Sequence, residues 1–208
     1  MKRKIQKNTW QTLAQELKKN HFRVAIFGSA RIKKNDLCYE QVFELASEIG
    51  KHHFDIVTGG GPGLMEAANA GHEHGRGKNG AHSIGLTIDL PKENFPNKHL
   101  DVREHFAVFS KRLDTFMMLS GAVVIMPGGV GTSLEFFYSW QLSQVKHIPS
   151  LPIILYGEMW EHFMQWVADF PLKDGYISPE DLENIHQVRN EEEAMEIILK
   201  AYKACKEK

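Results

Sequence analysis

An α/β fold is predicted, Rossmann-like in outline, with a doubly wound, mainly parallel sheet and helices on both faces. Two observations carry this. Short continuous apolar runs alternate with segments of helical periodicity along the chain, and two of those runs end in glycine-rich turns that open directly into helices. At 208 residues and 42% apolar composition, residues 1–208 are expected to form a single nucleotide-binding domain around one sizeable core.

Thr9 can cap a first helix over about residues 9–19, with Trp10, Leu13 and Leu17 at helical spacing. Val24-Ala25-Ile26-Phe27 reads as the first buried strand. The rhythm Tyr39, Val42, Phe43, Ala46, Ile49 predicts a helix that stops at Gly50 and delivers the chain to the strand Phe54–Thr58. A helix from Leu64 is expected to end near Gly71 or Gly75. Further strands are expected at Ser83 to Ile88, Phe106 to Phe109, Ala122 to Met126, Ile153 to Tyr156 and Ile185 to Arg189. Ser178-Pro179 forms a cap with proline in the first helical position, and Asn190 caps a C-terminal helix over about residues 190–204, its acids Glu191 to Glu193 near the positive end. Between Leu90 and Asp101, two prolines and two asparagines mark an irregular connection that either closes over a crevice or meets a partner subunit.

A formal net charge of −1 gives no general reason to bind a nucleic acid polymer or an acidic membrane. Cys38 and Cys205 are the only cysteines, which supports neither a disulfide framework nor a cysteine zinc site and fits a reducing cytoplasm. No apolar run approaches the ~20 residues needed to cross a bilayer. His72 and His74 point in different directions on a helix, so no metal site is expected of them and both are expected to be solvated.

The chemistry concentrates in the turns. Pro127-Gly128-Gly129-Val130-Gly131-Thr132-Ser133-Leu134-Glu135 follows a strand and starts a helix. Glycines at 128, 129 and 131 are expected to take positive φ and let the backbone approach a ligand, while the N–H groups and dipole of the following helix favour a phosphate. Glu135 lies about one turn past Thr132 and leans over the same mouth. Gly59-Gly60-Gly61-Pro62-Gly63 repeats the format upstream, and two such cradles imply a nucleotide-sized ligand. A carboxylate beside a phosphate cradle points to chemistry on a phosphorylated sugar. Competing nucleotide folds fit poorly: the first strand is followed by a single glycine rather than G-x-G-x-x-G, and neither turn carries the lysine of a P-loop. Pyridoxal-dependent decarboxylation needs a Schiff-base lysine, and neither turn contains one.

These residues resemble the LOG family, the cytokinin riboside 5′-monophosphate phosphoribohydrolases formerly labelled lysine decarboxylases. The second turn matches the pattern PGGxGTxxE at every fixed position, and the resemblance runs from about Arg23 to about Ile177. Phe27-Gly28-Ser29-Ala30 is similar to the family's first phosphate-side loop and Phe109-Ser110-Lys111-Arg112 to its arginine segment, although Leu113 stands where the family usually has lysine. The resemblance implies hydrolysis of the N-glycosidic bond of AMP or an N6-substituted AMP, without a cofactor. Glu135 and Arg112 would be catalytic; Ser29, Gly59, Gly60, Gly61, Gly128, Gly129, Val130, Gly131 and Thr132 would hold the substrate, with Glu66 and Lys111 as further candidates. A non-catalytic nucleotide-binding or carrier protein of the same fold is the alternative. The family also forms homodimers, and the apolar residues Phe136, Phe137, Trp140, Leu142 and Val145 spread around the helix carrying Glu135 fit such a contact. Trp160, Trp166, Phe163 and Met164 are expected in the core or the same interface.

Overall fold

The computed structural model describes residues 13–16, 18–19, 21–89 and 96–207. Seven strands form one sheet in which every pairing is parallel: β1 (Arg23–Phe27), β2 (Asp55–Thr58), β3 (Ser83–Ile88), β4 (Val102–Phe106), β5 (Ala122–Ile125), β6 (Ile153–Tyr156) and β7 (Ile185–Val188). Their order is β4-β3-β2-β1-β5-β6-β7, so the winding reverses between β1 and β5. The helices are α1 (Leu13–Glu16), α2 (Leu37–Lys51), α3 (Leu64–Arg76), α4 (Phe109–Leu119), α5 (Val130–Gln144), α6 (Met159–Val167) and α7 (Glu191–Lys206). Thr9, Trp10 and Leu17 of the expected first helix lie outside the described residues.

Successive strand residues point to opposite faces, and both faces are covered. Val24 and Ile26 of β1 enter a core with residues of α2, α3 and α7. Ala25 and Phe27 enter a second core with Phe116 of α4, Phe136 of α5 and Trp160 of α6. Trp166 and Phe137 are exposed, so the aromatic group divides between core and surface.

Two local expectations are corrected. The strand expected at Phe106–Phe109 begins four residues earlier, at Val102, and ends at Phe106, and Phe109 begins α4. β4 is an edge strand whose burial alternates along Val102-Arg103-Glu104-His105-Phe106, and its outward polar residues hide it from a search for apolar runs. The helix ends fall within a residue of expectation, α2 running one residue past Gly50 to Lys51 and α3 one residue past Gly75 to Arg76, before Gly77 at φ 53°. Glycines let these two helices touch: a Cβ on Gly71 would lie 2.1 Å from Phe43 O, one on Gly75 1.9 Å from Ser47 O, and one on Gly50 2.8 Å from His72 O. His72 is buried rather than solvated. Burial holds its pKa down at about 4, and the neutral ring donates Nε2–H to Phe54 O at 2.8 Å.

The caps follow expectation. Asn190 Oδ1 accepts from Glu193 N at the start of α7, and Ser178 with Asp181 forms a capping box on the 3₁₀ turn Pro179–Leu182. Because the atoms facing Gly75 are backbone, Gly75→Ala is expected to destabilise the fold by at least about 1–3 kcal/mol, the usual cost of overpacking, read as a lower urea midpoint at unchanged slope.

Candidate active site

The site is built where the winding reverses, because loops leaving β1 and β5 separate there and open a crevice at the carboxyl ends of the strands. Ser29, in the loop after β1, fastens both glycine turns. Its N–H donates to Pro127 O at 3.1 Å, and its carbonyl accepts from Leu64 N at 3.0 Å. Gly63, at φ 67°, passes so close that a Cβ would fall 2.5 Å from Ser29 O.

The turn after β2 is held from below by buried polar side chains. Thr58 Oγ1 accepts from Gly60 N at 3.0 Å and donates to Asn69 Oδ1 at 2.9 Å, while Asn69 Nδ2 donates to Ser83 Oγ at 2.7 Å. Asn97 completes the set: its backbone N–H donates to Gly60 O at 2.8 Å, and its amide to Gly61 O at 3.0 Å and Asn69 Oδ1 at 2.8 Å. The described end of the 90–101 connection therefore docks on the first cradle; Leu90 to Phe95 lie outside the described residues. Sequence reading missed Thr58, Asn69 and Asn97: Thr58 and Asn69 are polar residues within apolar runs of a strand and a helix, and nothing along the chain links either to Asn97 in its irregular connection.

The second turn uses its glycines for space, not for positive φ. Among Gly128, Gly129 and Gly131 none has positive φ, whereas Gly60 and Gly63 do. A Cβ on Gly128 would meet Thr132 Oγ1 at 2.1 Å, because the Thr132 side chain is buried beneath it. Gly129 and Gly131 have nothing within 4 Å of where a Cβ would be, and Val130 is 89% exposed, so this mouth is open. The first N–H groups of α5 lack intrahelical acceptors and sit at its positive end.

Arg112 lies on the first turns of α4 yet is buried. Its Nε donates to Leu86 O at 2.7 Å at the end of β3, and its guanidinium is 5.2 Å from the centre of the Phe116 ring. A Cβ on Gly59 would strike Nη2 at 2.5 Å, so the first glycine of the upstream turn is what makes room for this arginine. From there Nη1 reaches to 3.9 Å from Glu135 Oε1, near enough for attraction but too long for a hydrogen bond. Glu135 is a half-buried residue of α5. The two sequence-predicted catalytic residues thus meet, across the junction of both turns.

Glu66 pairs with Lys34 at 2.9 Å, and Lys111 is exposed. Leu113 is buried, so the position after Arg112 serves packing.

A family model described as "Possible lysine decarboxylase" matches residues 65–198, most of the chain. The chain belongs to this family. This is the LOG family, and the second glycine turn with Glu135, together with Arg112, lies inside the matched region. One relative of the family member is the pyrimidine/purine nucleotide 5′-monophosphate nucleosidase of Escherichia coli (strain K12), 30% identical over 141 residues. That alignment covers 64% of this chain but 30% of the relative, so the chain spans under a third of the length of the curated relatives it matches. Among solved structures, the molybdenum cofactor carrier protein of Chlamydomonas reinhardtii superposes with a TM-score of 0.66 at 18% identity, covering 88% of this chain and 98% of that one. The molybdenum cofactor binding protein of Rippkaea orientalis gives 0.65 at 17% identity, covering 86% and 96%. These structures share the fold.

Proposed function

We propose that this LOG-family chain hydrolyses the N-glycosidic bond of a nucleoside 5′-monophosphate, AMP or an N6-substituted AMP, to free base and ribose 5-phosphate. The observation carrying this reading is the Arg112–Glu135 pair at 3.9 Å where two glycine turns join. The name of the Escherichia coli relative, a nucleotide 5′-monophosphate nucleosidase, supports the same bond.

Cleavage passes through a ribosyl cation of oxocarbenium character, which a fixed carboxylate stabilises and whose capture by water that carboxylate can assist. In this reading Glu135 takes that role beside C1′ and the ribose hydroxyls. Arg112, locked by Leu86 O and the rings of Phe109 and Phe116, acts across from it on the base or the phosphate. The N–H groups from Gly129 to Thr132 receive the 5′-phosphate, and Ser29 with Gly59, Gly60 and Gly61 completes the cradle. Lysine decarboxylation finds less support, since a Schiff-base lysine is needed and Lys111, the nearest lysine in sequence to Arg112, is exposed. A cytoplasmic place remains part of the proposal; among the described residues no helix is long and apolar enough to cross a membrane.

A homodimer is proposed as well. Val130, Leu134, Phe137 and Val145 are 89%, 42%, 45% and 58% exposed, and their spacing puts them in one stripe along the outer face of α5. A second copy packed on that stripe would bury it within a turn of Glu135.

Glu135→Gln is expected to leave AMP binding largely intact while lowering the rate of adenine release by at least ~100-fold, as when a positioned charge or acid–base group is lost. Near-normal release by a folded variant would contradict the mechanism; AMP binding by the unaltered protein with no adenine released would select the carrier alternative. AMP is expected to be processed far faster than adenosine, because phosphate binding helps position the reacting bond, and equal rates in a chromatographic assay would remove the phosphate from the cradles. Light scattering at micromolar concentration should give twice 23.7 kDa; a fully active species at 23.7 kDa would refute the dimer.

A further inference from the structure

At the opposite edge of the sheet, where β1, β2 and β3 begin, ionisable side chains gather that the proposed reaction does not use. Glu16, at the end of α1, and Asp55, at the start of β2, are both fully buried. His21 Nδ1 lies 3.1 Å from Asp55 Oδ1, and His82 Nδ1 lies 3.1 Å from Glu16 Oε2. One donor atom each from His21, Asp55 and His82 falls within 4.8 Å of the others.

His82 Nδ1 faces two incompatible neighbours. Lys19 Nζ, 3.2 Å away, can only donate, and Glu16 Oε2 can only accept. A single ring nitrogen cannot accept from one and donate to the other. With the His82 lone pair turned to Lys19, the buried Glu16 Oε2 has no hydrogen-bond donor among the described residues. Such an oxygen is costly unless a cation faces it.

We propose that Glu16, His21, Asp55 and His82 bind one divalent transition-metal ion of the zinc class. In the metal-free protein the Lys19 ammonium holds the cation's place, 2.7 Å from Glu16 Oε1. Bonds of about 2.0–2.2 Å in a tetrahedral site set neighbouring ligand atoms about 3.3 Å apart; each 3.1 Å pair already stands at that spacing, and the donor atoms of His21, Asp55 and His82, which lie within 4.8 Å of one another, would draw together on the ion. Two imidazoles with two carboxylates favour zinc and its neighbours over magnesium or calcium, which prefer all-oxygen sites. Asp55 is held for the purpose. Arg23 Nε stands 3.4 Å from Oδ2, and His82 N donates to Oδ1 at 2.8 Å, which fixes the carboxylate with Oδ1 towards His21. Arg23 Nη2 also donates to Glu16 O and Lys19 O at 2.7 and 3.0 Å, securing the end of α1. Lys19 and His21 have side chains 32% and 36% exposed, so the ammonium has room to leave and the ion has a way in. The ion would staple α1 to three strand starts, remote from the glycine turns.

Calorimetric titration of chelator-treated protein with zinc chloride, paired with thermal melts, tests this. One saturable zinc per chain and a higher melting temperature are expected, with X-ray absorption showing two imidazoles on the metal. His21→Gln, at a half-exposed position that should still fold, is expected to weaken binding at least ~10-fold, the lower end of what even an outer partner of a metal ligand costs. Lys19→Gln, which removes the competing ammonium, should tighten it. His74→Gln, on an exposed position of α3, should change nothing. Absence of a saturable site, or an affinity indifferent to both His21→Gln and His82→Gln, would overturn the proposal and leave the cluster as an ion-paired tether.

Discussion

The candidate active site rests on one residue's backbone. Ser29 spans the reversal between β1 and β5, giving its N–H to the loop after β5 and its carbonyl to the first turn of α3. Parallel strands leave their carboxyl-end loops free to diverge, so without such a clasp two glycine turns on opposite sides of the reversal would have no fixed separation. With it, Gly59 to Gly63 and Pro127 to Gly131 become two walls of one crevice. The arginine from α4 and the glutamate from α5 can then meet at a set distance.

Glycine does three different jobs in this arrangement. Gly60 and Gly63 supply positive φ, a conformation that residues with a Cβ adopt only at a cost. Gly28, Gly59 and Gly128 make room for Leu64, the Arg112 guanidinium and the Thr132 side chain respectively. Gly71 and Gly75 bring α2 and α3 into backbone contact, which seats α3, and with it the upstream turn, firmly on the sheet.

Much of this could be read from the sequence because it depends on local pattern. Buried parallel strands are short apolar runs, and a turn such as Gly128 to Thr132 carries its function in consecutive residues. What the sequence hid depends on partners distant along the chain. β4 at the sheet edge lacks an apolar run, Gly75 looks like a helix end until Ser47 is seen against it, and His72 looks like a surface residue until Phe54 O is seen beside its ring. Asn97 is 28 residues from Asn69, and Asp55 is 34 from His21, so neither the network under the upstream turn nor the cluster at the far edge has a linear signature. Arg112 is intermediate: its segment was recognisable by resemblance, but its burial and its hold on Leu86 O were not.

The fit of Arg112 beneath Gly59 has a consequence for how this protein can change. The guanidinium spends Nε on a carbonyl and aims its other nitrogens at the turn and at Glu135, a division of labour that a lysine, with a single terminal nitrogen, cannot reproduce. Positions 59 and 112 therefore act as one hereditary unit. A side chain admitted at 59 would evict the arginine, and a shorter residue at 112 would release 59 from its need to be glycine, so the two are bound to drift together or not at all.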